Sequence, residues 1–165
     1  MAKLLDRARP NEVEIVERYM REVPVKVGEL AKELGVDVIR SPLPPKISGL
    51  IQPSTTAPAR FEIRVNKYEP PERQRFTVAH ELAHFLLHRD DIGTGVVDSI
   101  MYRSSLTSRK EVEANKLAAD IVMPNSTVSQ ELKRLGGTRT PETVDELAGM
   151  FRVSVPAMKV RLGVA

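Results

Sequence analysis

Residues 75–87 read RFTVAHELAHFLL, and this stretch decides how the rest of the chain is interpreted. The pattern predicts a helix with His80 and His84 on one face, since positions four residues apart lie about 6 Å apart along the axis. Two imidazoles in that arrangement can bind one zinc ion, and Glu81 then lies beside the water on the metal. The stretch therefore predicts a metal site on this helix.

The residues around the HExxH motif are apolar on several sides, which predicts a buried helix. A charged Glu81 in such a position needs a partner, and a metal site would provide one. The alternative interpretation is a surface helix with two solvated histidines, which requires no metal.

The third metal ligand has to be another histidine or a carboxylate, because the chain contains three histidines and no cysteine. His88 lies about 12 Å along the axis from His80 if the helix continues, and is expected instead near the last helical carbonyls. The pattern HExxHxxGxxH would need a glycine and a ligand where this chain has Leu87 and Asp90. A third ligand from the same segment is therefore disfavoured.

A second helix, predicted over residues 109–122, offers three carboxylates. At 100° per residue, its apolar stripe consists of Ala114, Leu117, Ala118, Ile121 and Val122. Glu111 lies inside this stripe, whereas Glu113 lies at its edge and Asp120 further out. A carboxylate aimed into the core is costly unless it binds something, so Glu111 is the predicted ligand and Asn115 the residue that orients a ligand histidine. The competing interpretation of Glu111 is a first-turn glutamate favoured by the helix dipole.

The rest of the chain alternates short helices and strands. Further helices are predicted at residues 11–22, 26–34, 141–150 and 155–162, and strands at residues 36–39, 47–51 and 61–65. Thr140 and Ser154 are predicted N-caps of the last two helices. Helices followed by a few strands and then more helices predict an α+β fold.

Composition excludes several classes of protein. The absence of cysteine rules out disulfides, iron–sulfur clusters and a cysteine nucleophile. The net charge of +3 comes from 25 basic and 22 acidic residues without a block of like charge, which does not indicate nucleic-acid binding. Residues 1–20 lack the apolar core of a signal peptide, and no stretch approaches the roughly 18 apolar residues of a membrane span. A cytoplasmic protein without membrane contact is expected.

Two longer segments, RQRFTVAHELAHFLLH (residues 73–88) and EVEANKLAADIVMP (residues 111–124), resemble the ImmA/IrrE family of zinc metallopeptidases. The tail ELAGMFRVSVPAMKVRL (residues 146–162) is similar to the usual C-terminal helices of that family. The resemblance extends over residues 25–162. It implies a minimal zincin-like metallopeptidase fold, with a short twisted β-sheet beside the HExxH active-site helix, and C-terminal helices.

The resemblance also implies roles for individual residues. It places His80, His84 and Glu111 as ligands of one zinc ion per chain, Glu81 as the catalytic glutamate, and Asn115 four residues after the ligand glutamate, as in glutamate zincins. The implied activity is that of a regulatory endopeptidase. Its protein substrate is typically a helix-turn-helix repressor or antitoxin.

The predicted domain organisation has three parts. Residues 1–24 form an N-terminal helical extension, residues 25–135 the zincin-like core, and residues 136–165 a helix-turn-helix-like subdomain packed on that core. The last helix and tail, VPAMKVRLGVA, are too apolar to read base edges, so direct nucleic-acid binding is not expected.

The expected mechanism has Glu81 take a proton from the water that attacks a peptide carbonyl. Since no histidine lies outside the metal segment, Tyr102 is the candidate second stabiliser of the oxyanion, and Tyr68 is the next candidate. Either tyrosine could equally be an ordinary surface residue.

An alternative function is a non-proteolytic regulator that binds its partner and holds a structural zinc. The motif glutamate argues against it, because a closed structural site needs no general base.

Overall fold

A computed structural model of the chain describes residues 3–92 and 108–165. The strands are β1 (Val36–Ser41), β2 (Gly49–Pro53) and β3 (Phe61–Asn66). The helices are a 3-10 helix (Leu4–Arg7), α1 (Pro10–Tyr19), α2 (Val27–Glu33), α3 (Pro71–Leu87), α4 (Arg89–Ile92), α5 (Ser108–Val122), α6 (Asn125–Arg134), α7 (Pro141–Phe151) and α8 (Val155–Leu162). This element order confirms the predicted α+β class.

The three strands form one small sheet in the order β1–β3–β2. β3 runs parallel to β1 and antiparallel to β2, so that Ile63 lies opposite Val38 on one side and Ile51 on the other. In the strand predicted at residues 61–65, Ile63 and Val65 are buried in the core and Phe61 is partly buried. The short sheet expected beside the HExxH helix is therefore present.

Gly49, the first residue of β2, allows the sheet to approach α3 closely. A Cβ atom at this position would lie 2.5 Å from Cγ2 of Thr77 and 2.7 Å from the carbonyl oxygen of Arg64. Neither distance is possible between real atoms, so only glycine fits without a shift of the strand or the helix. This contact sets the distance between β2 and the N-terminal half of α3.

Glu62 is a carboxylate buried within the sheet. It accepts hydrogen bonds from Nε2 of Gln52 at 2.7 Å, from Nε of Arg64 at 2.8 Å, and from the backbone N–H and the hydroxyl of Thr55 at 3.2 Å each. Burial acts to raise the pKa of Glu62, but the hydrogen bonds outweigh it and hold the pKa below its ordinary value. Ionised Glu62 therefore stabilises the junction of β2 and β3.

We expect Glu62→Gln to lower the free energy of unfolding by about 1–3 kcal/mol at pH 7, because it removes a charged acceptor from buried donors. Since the folded-state pKa is depressed, the carboxylate contributes fully above the unfolded value, ordinarily 4.5, and its contribution is lost as the pH falls below that value. The difference between wild type and variant should shrink from pH 7 to lower pH in urea unfolding. Glu17→Gln, on the exposed face of α1, is the control; an equal deficit at both pH values would contradict the prediction.

Both C-terminal helices are capped as predicted, and α7 contacts α3. The side chains of Thr140 and Ser154 each accept a hydrogen bond from the backbone N–H three residues later. Phe151 of α7 is fully buried in the common hydrophobic core. Arg75, in the second turn of α3, donates to the carbonyl oxygens of Phe151 at 3.3 Å and Arg152 at 3.2 Å, which satisfies the end of α7.

The N-terminal residues share the same core. Leu5 and Val16 are buried in it, and Arg89 of α4 donates to both carboxylate oxygens of Glu12 at 2.8 and 2.7 Å. Side chains from all three predicted parts of the chain thus contribute to one hydrophobic core. The boundaries proposed between those parts stay a prediction.

Helix α6 is absent from the predicted elements. It follows Pro124 and begins with the polar run NSTVSQ, and its main apolar contacts come from Val128 and Leu132, four residues apart. Two apolar positions are too few to reveal a helical pattern in an otherwise polar sequence. The helix is therefore stabilised mainly by tertiary packing. None of the helices in the two described ranges has the length and apolar character needed to cross a membrane.

Candidate metal centre

Helix α3 is buried along most of its length. Every residue from Thr77 to Leu86 is buried, including His80, Glu81 and His84. The helix runs beside the sheet on one side and packs against α5 on another, which accounts for its apolar character around the motif. The alternative of a surface helix with solvated histidines is therefore wrong.

Three predicted donors converge between α3 and α5. Nε2 of His80 lies 3.4 Å from Oε1 of Glu111, and Nε2 of His84 lies 3.1 Å from Oε2 of the same carboxylate. One ligand atom from each of the three residues falls within 4.8 Å of the others. Two atoms bound to one zinc ion at about 2.0–2.1 Å and a tetrahedral angle lie roughly 3.3 Å apart. The spacing and chemistry of these donors fit a metal ion.

The predicted apolar stripe of α5 packs into the core, and this determines the direction in which Glu111 faces. All five stripe residues are buried: Ala114, Leu117, Ala118, Ile121 and Val122. Glu111 lies on the same helix face as this stripe, about one turn before its first residue, and its side chain contacts α3 while remaining 27% exposed. Burial acts to raise the pKa of Glu111, but hydrogen bonds with His80 and His84 outweigh it and hold the pKa well below its ordinary value. Glu111 therefore stays ionised, as a ligand must.

Glu81 is 1% exposed and follows His80 directly in α3. A carboxylate so thoroughly removed from water is found where it has a specific partner or function. Its position on the motif helix, next to the donor cluster, is the one that a general base requires. The catalytic role of Glu81 stays a prediction.

His88 occupies a position that the sequence does not reveal. Helix α3 ends at Leu87, and the backbone of His88 leaves the helical conformation with φ −130° and ψ 36°. Its ring turns back along the helix, so that its Nδ1 lies 2.9 Å from Nδ1 of His84 and its Nε2 lies 3.0 Å from Oε1 of Glu113. His88 thus lies at the helix C-terminus, as expected, but its ring contacts the side chain of His84 and does not face the last carbonyls. The signal available in the sequence was its spacing of four residues from His84.

His88 contacts Glu113, which in turn contacts Arg7. Glu113 accepts hydrogen bonds from the two terminal guanidinium nitrogens of Arg7, at 2.8 and 3.3 Å. Hydrogen bonds from Arg7 and then from His88 lower the pKa of Glu113 to about 2. Burial lowers the pKa of His88 and outweighs the opposing hydrogen bond to Glu113. Glu113 is therefore a fixed carboxylate, and it does not belong to the donor cluster.

A cavity of about 300 Å³ opens beside His80 and Glu111. Its other lining residues are Ser48, Arg73, Phe76, Thr77 and Asn115. Asn115 is exposed at this cavity, and its role in orienting a ligand histidine stays a prediction. Tyr68 is 72% exposed and is not among the lining residues, while Tyr102 lies outside the described residues. The cavity leaves open space beside the donor cluster.

Comparisons with known proteins identify relatives of this chain. The chain is 36% identical over 97 residues to the radiation response metalloprotease IrrE of Deinococcus radiodurans, which is 59% of this chain and 29% of that protein. It is 36% identical over 81 residues to the IrrE protein of Deinococcus deserti, again covering 29% of the relative. The chain thus spans less than a third of the length of these curated relatives.

A solved structure shares the fold. A protein described as a Mycobacterium tuberculosis transcriptional regulator superposes with a TM-score of 0.63 at 17% identity, over 97% of this chain and 48% of that chain. The family profile of the IrrE N-terminal-like domain, peptidase M78, matches residues 31–163, which include both helices of the donor cluster. Because this match extends over most of the sequence, the chain belongs to the peptidase M78 family, as its resemblance to ImmA/IrrE proteins predicts.

Proposed function

We propose that the chain is a zinc-dependent endopeptidase, with one zinc ion held by His80, His84 and Glu111. The observation that carries the proposal is the convergence of two imidazole nitrogens and one ionised carboxylate within 4.8 Å beside buried Glu81. Three protein donors leave a fourth position open, which distinguishes catalytic from structural zinc sites. The metalloprotease name of the IrrE relatives supports the same activity.

The protein residues then have separate tasks. Zinc bound at this site supplies the Lewis acidity that makes water nucleophilic near neutral pH. Glu81 accepts the proton of the attacking water and passes it to the leaving amide nitrogen, which breaks the peptide bond. The exclusion of water around buried Glu81 strengthens its electrostatic interaction with that proton. Tyr102 remains the proposed second stabiliser of the oxyanion.

The substrate is proposed to be a protein, and specifically a helix-turn-helix repressor or antitoxin. The family resemblance supports this choice, and the cavity beside His80 offers the space that an extended peptide needs. Arg73 and Asn115 line that cavity and can donate hydrogen bonds to a peptide backbone.

The test is cleavage of a proteome-derived peptide library, followed by mass spectrometry of the new termini. We expect zinc-loaded protein to generate fragments, a chelator to stop their formation, and added Zn²⁺ to restore it. A helix-turn-helix protein encoded beside the chain's gene is the second substrate to incubate. A stable complex with that protein, without fragments from it or from the library, would instead identify a non-proteolytic regulator.

We also expect Zn²⁺ to stabilise the folded protein, because a site assembled from two helices exists only in the native state. At a free zinc concentration 100 times the dissociation constant, the gain is about 2.7 kcal/mol. For a chain of this size that corresponds to an increase in Tm of roughly 5–10 °C. Differential scanning calorimetry with and without Zn²⁺ measures it, and Mg²⁺, a poor match for imidazole ligands, is the control ion. An unchanged Tm at saturating Zn²⁺ would contradict the site.

A further inference from the structure

We propose that His88, Glu113 and Arg7 form a hydrogen-bonded series that positions His84 as a metal ligand. We refer to these three residues as the orienting series. The inference rests on the proposed metal site and extends it to residues that do not contact the metal. It also reaches beyond the family match, which begins at residue 31, to the 3-10 helix that contains Arg7.

The contacts run in one continuous line from the donor cluster to the N-terminal segment. Nδ1 of His84 meets Nδ1 of His88 at 2.9 Å, and Nε2 of His88 meets Oε1 of Glu113 at 3.0 Å. Glu113 in turn accepts from both terminal nitrogens of Arg7. The side chains of His84, His88 and Glu113 are 4%, 3% and 14% exposed, so water competes little for these hydrogen bonds.

The placement of protons along this line follows from the chemistry of its two ends. An ionised carboxylate only accepts hydrogen bonds, so Glu113 requires the proton of neutral His88 on Nε2. Nδ1 of His88 then carries a lone pair and accepts from Nδ1–H of His84. With its proton on Nδ1, neutral His84 keeps a lone pair on Nε2 for a metal, whereas the 3.1 Å hydrogen bond from Nε2 to Glu111 in the absence of metal requires the proton on Nε2. The series therefore favours the tautomer of His84 that can bind a metal, and Glu111 favours the other tautomer until both residues bind the metal.

Arg7 holds the far end of the series. Its paired hydrogen bonds with Glu113 restrict the rotation of a carboxylate that would otherwise be free to turn toward solvent. Arg109 also approaches Glu113, but at 3.9 Å and with a side chain that is 83% exposed. Arg7 is therefore the stronger restraint, and the N-terminal segment contributes to metal affinity through it.

The first test compares two variants of nearly equal shape by competition with a chromogenic chelator for Zn²⁺. His88→Asn keeps an acceptor oxygen near the position of Nδ1, whereas His88→Leu has none. We expect His88→Leu to bind Zn²⁺ about 10–100-fold more weakly than wild type, as is typical when a residue that orients a ligand is removed. His88→Asn should recover most of that loss. Equal affinities of the two variants would overturn the proposal, and the Tm of both metal-free proteins monitors folding.

The second test isolates the N-terminal end of the series. Arg7→Gln should weaken Zn²⁺ binding, and combining it with His88→Leu should cause little further loss, because both act through the same line of contacts. Arg9→Gln is the matched control, since Arg9 is an exposed arginine two residues away, and no hydrogen bond or ion pair joins it to Glu113 in the described part of the chain. Fully additive losses in the double variant, or an equal loss in Arg9→Gln, would overturn the role of Arg7.

The third test reads the proton positions directly by ¹⁵N NMR of labelled histidines, of which the chain has three. We expect the proton of His88 on Nε2 in the Zn²⁺-loaded protein at pH 8, where Nε2 of His84 binds the metal and no longer donates to Glu111. In Glu113→Gln this preference should weaken, because an amide can donate as well as accept. A proton of wild-type His88 on Nδ1 would overturn the proposal. Failure of wild type to bind Zn²⁺ would instead overturn the proposed function and, with it, the role of the orienting series in metal binding.

Discussion

We expect Glu81→Gln to lower the rate of peptide hydrolysis by about 10²–10⁴-fold, the usual contribution of a positioned general base. The change removes the proton acceptor while keeping the size of the side chain, so the buried helix α3 should fold as before. Zinc affinity should stay close to that of wild type, because Glu81 is not among the three converging donors. Cleavage of the peptide library by Zn²⁺-loaded variant and wild type, at matched zinc occupancy, measures the effect.

Glu72→Gln provides the matched control for this experiment. Glu72 is an exposed glutamate in the first turn of the same helix, away from the donor cluster, and its replacement should leave the rate unchanged. Full activity of Glu81→Gln would refute the general-base role. If the variant loses both zinc and activity, Glu81 is required for metal binding, and the loss of activity is then not evidence for proton transfer.

The second large effect is expected from Glu111→Gln, which should weaken Zn²⁺ binding by more than about 100-fold. Residues that merely orient a ligand typically contribute 10–100-fold, and loss of a charged ligand should exceed that range. The amide has nearly the same volume, so the packing of α5 on α3 should survive. Chelator competition gives the affinity, and the stabilisation of wild type by Zn²⁺ should be absent in the variant.

Glu142→Gln serves as the control, because Glu142 is also a first-turn glutamate but lies exposed on α7. It tests the competing interpretation, in which Glu111 only stabilises its helix by a favourable interaction with the helix dipole. A dipole effect is worth about 0.3–1 kcal/mol of stability and is similar for both residues. Near-normal Zn²⁺ affinity in Glu111→Gln would support that interpretation and exclude Glu111 as a ligand.

Much of the candidate site could be predicted from the sequence because helical periodicity is a local property. The spacing of His80 and His84 places both on one face of α3, and the apolar stripe of α5 identifies Glu111 among three carboxylates. The structure brings these three side chains together. The prediction succeeded here because a charged side chain inside an apolar stripe is conspicuous in the sequence itself.

Local patterns were less informative where a segment depends on its neighbours. Helix α6 has only Val128 and Leu132 as strong apolar anchors, so its helical state depends on packing that no short window reveals. His88 was expected near the last carbonyls of α3. Its ring contacts His84 because the helix ends at Leu87 and the backbone of His88 turns away, which is a property of the helix terminus.

By itself the sequence determined the α+β class, the two helices of the candidate site and the three side chains that converge there, since each follows from residue type and short-range spacing. Only the tertiary structure decided which groups support those donors. Arg7 and Glu113 are 106 residues apart, and their pairing requires the 3-10 helix to pack beside α5. The physical reason is that a hydrogen bond between distant segments depends on how the whole core packs, which no local pattern encodes.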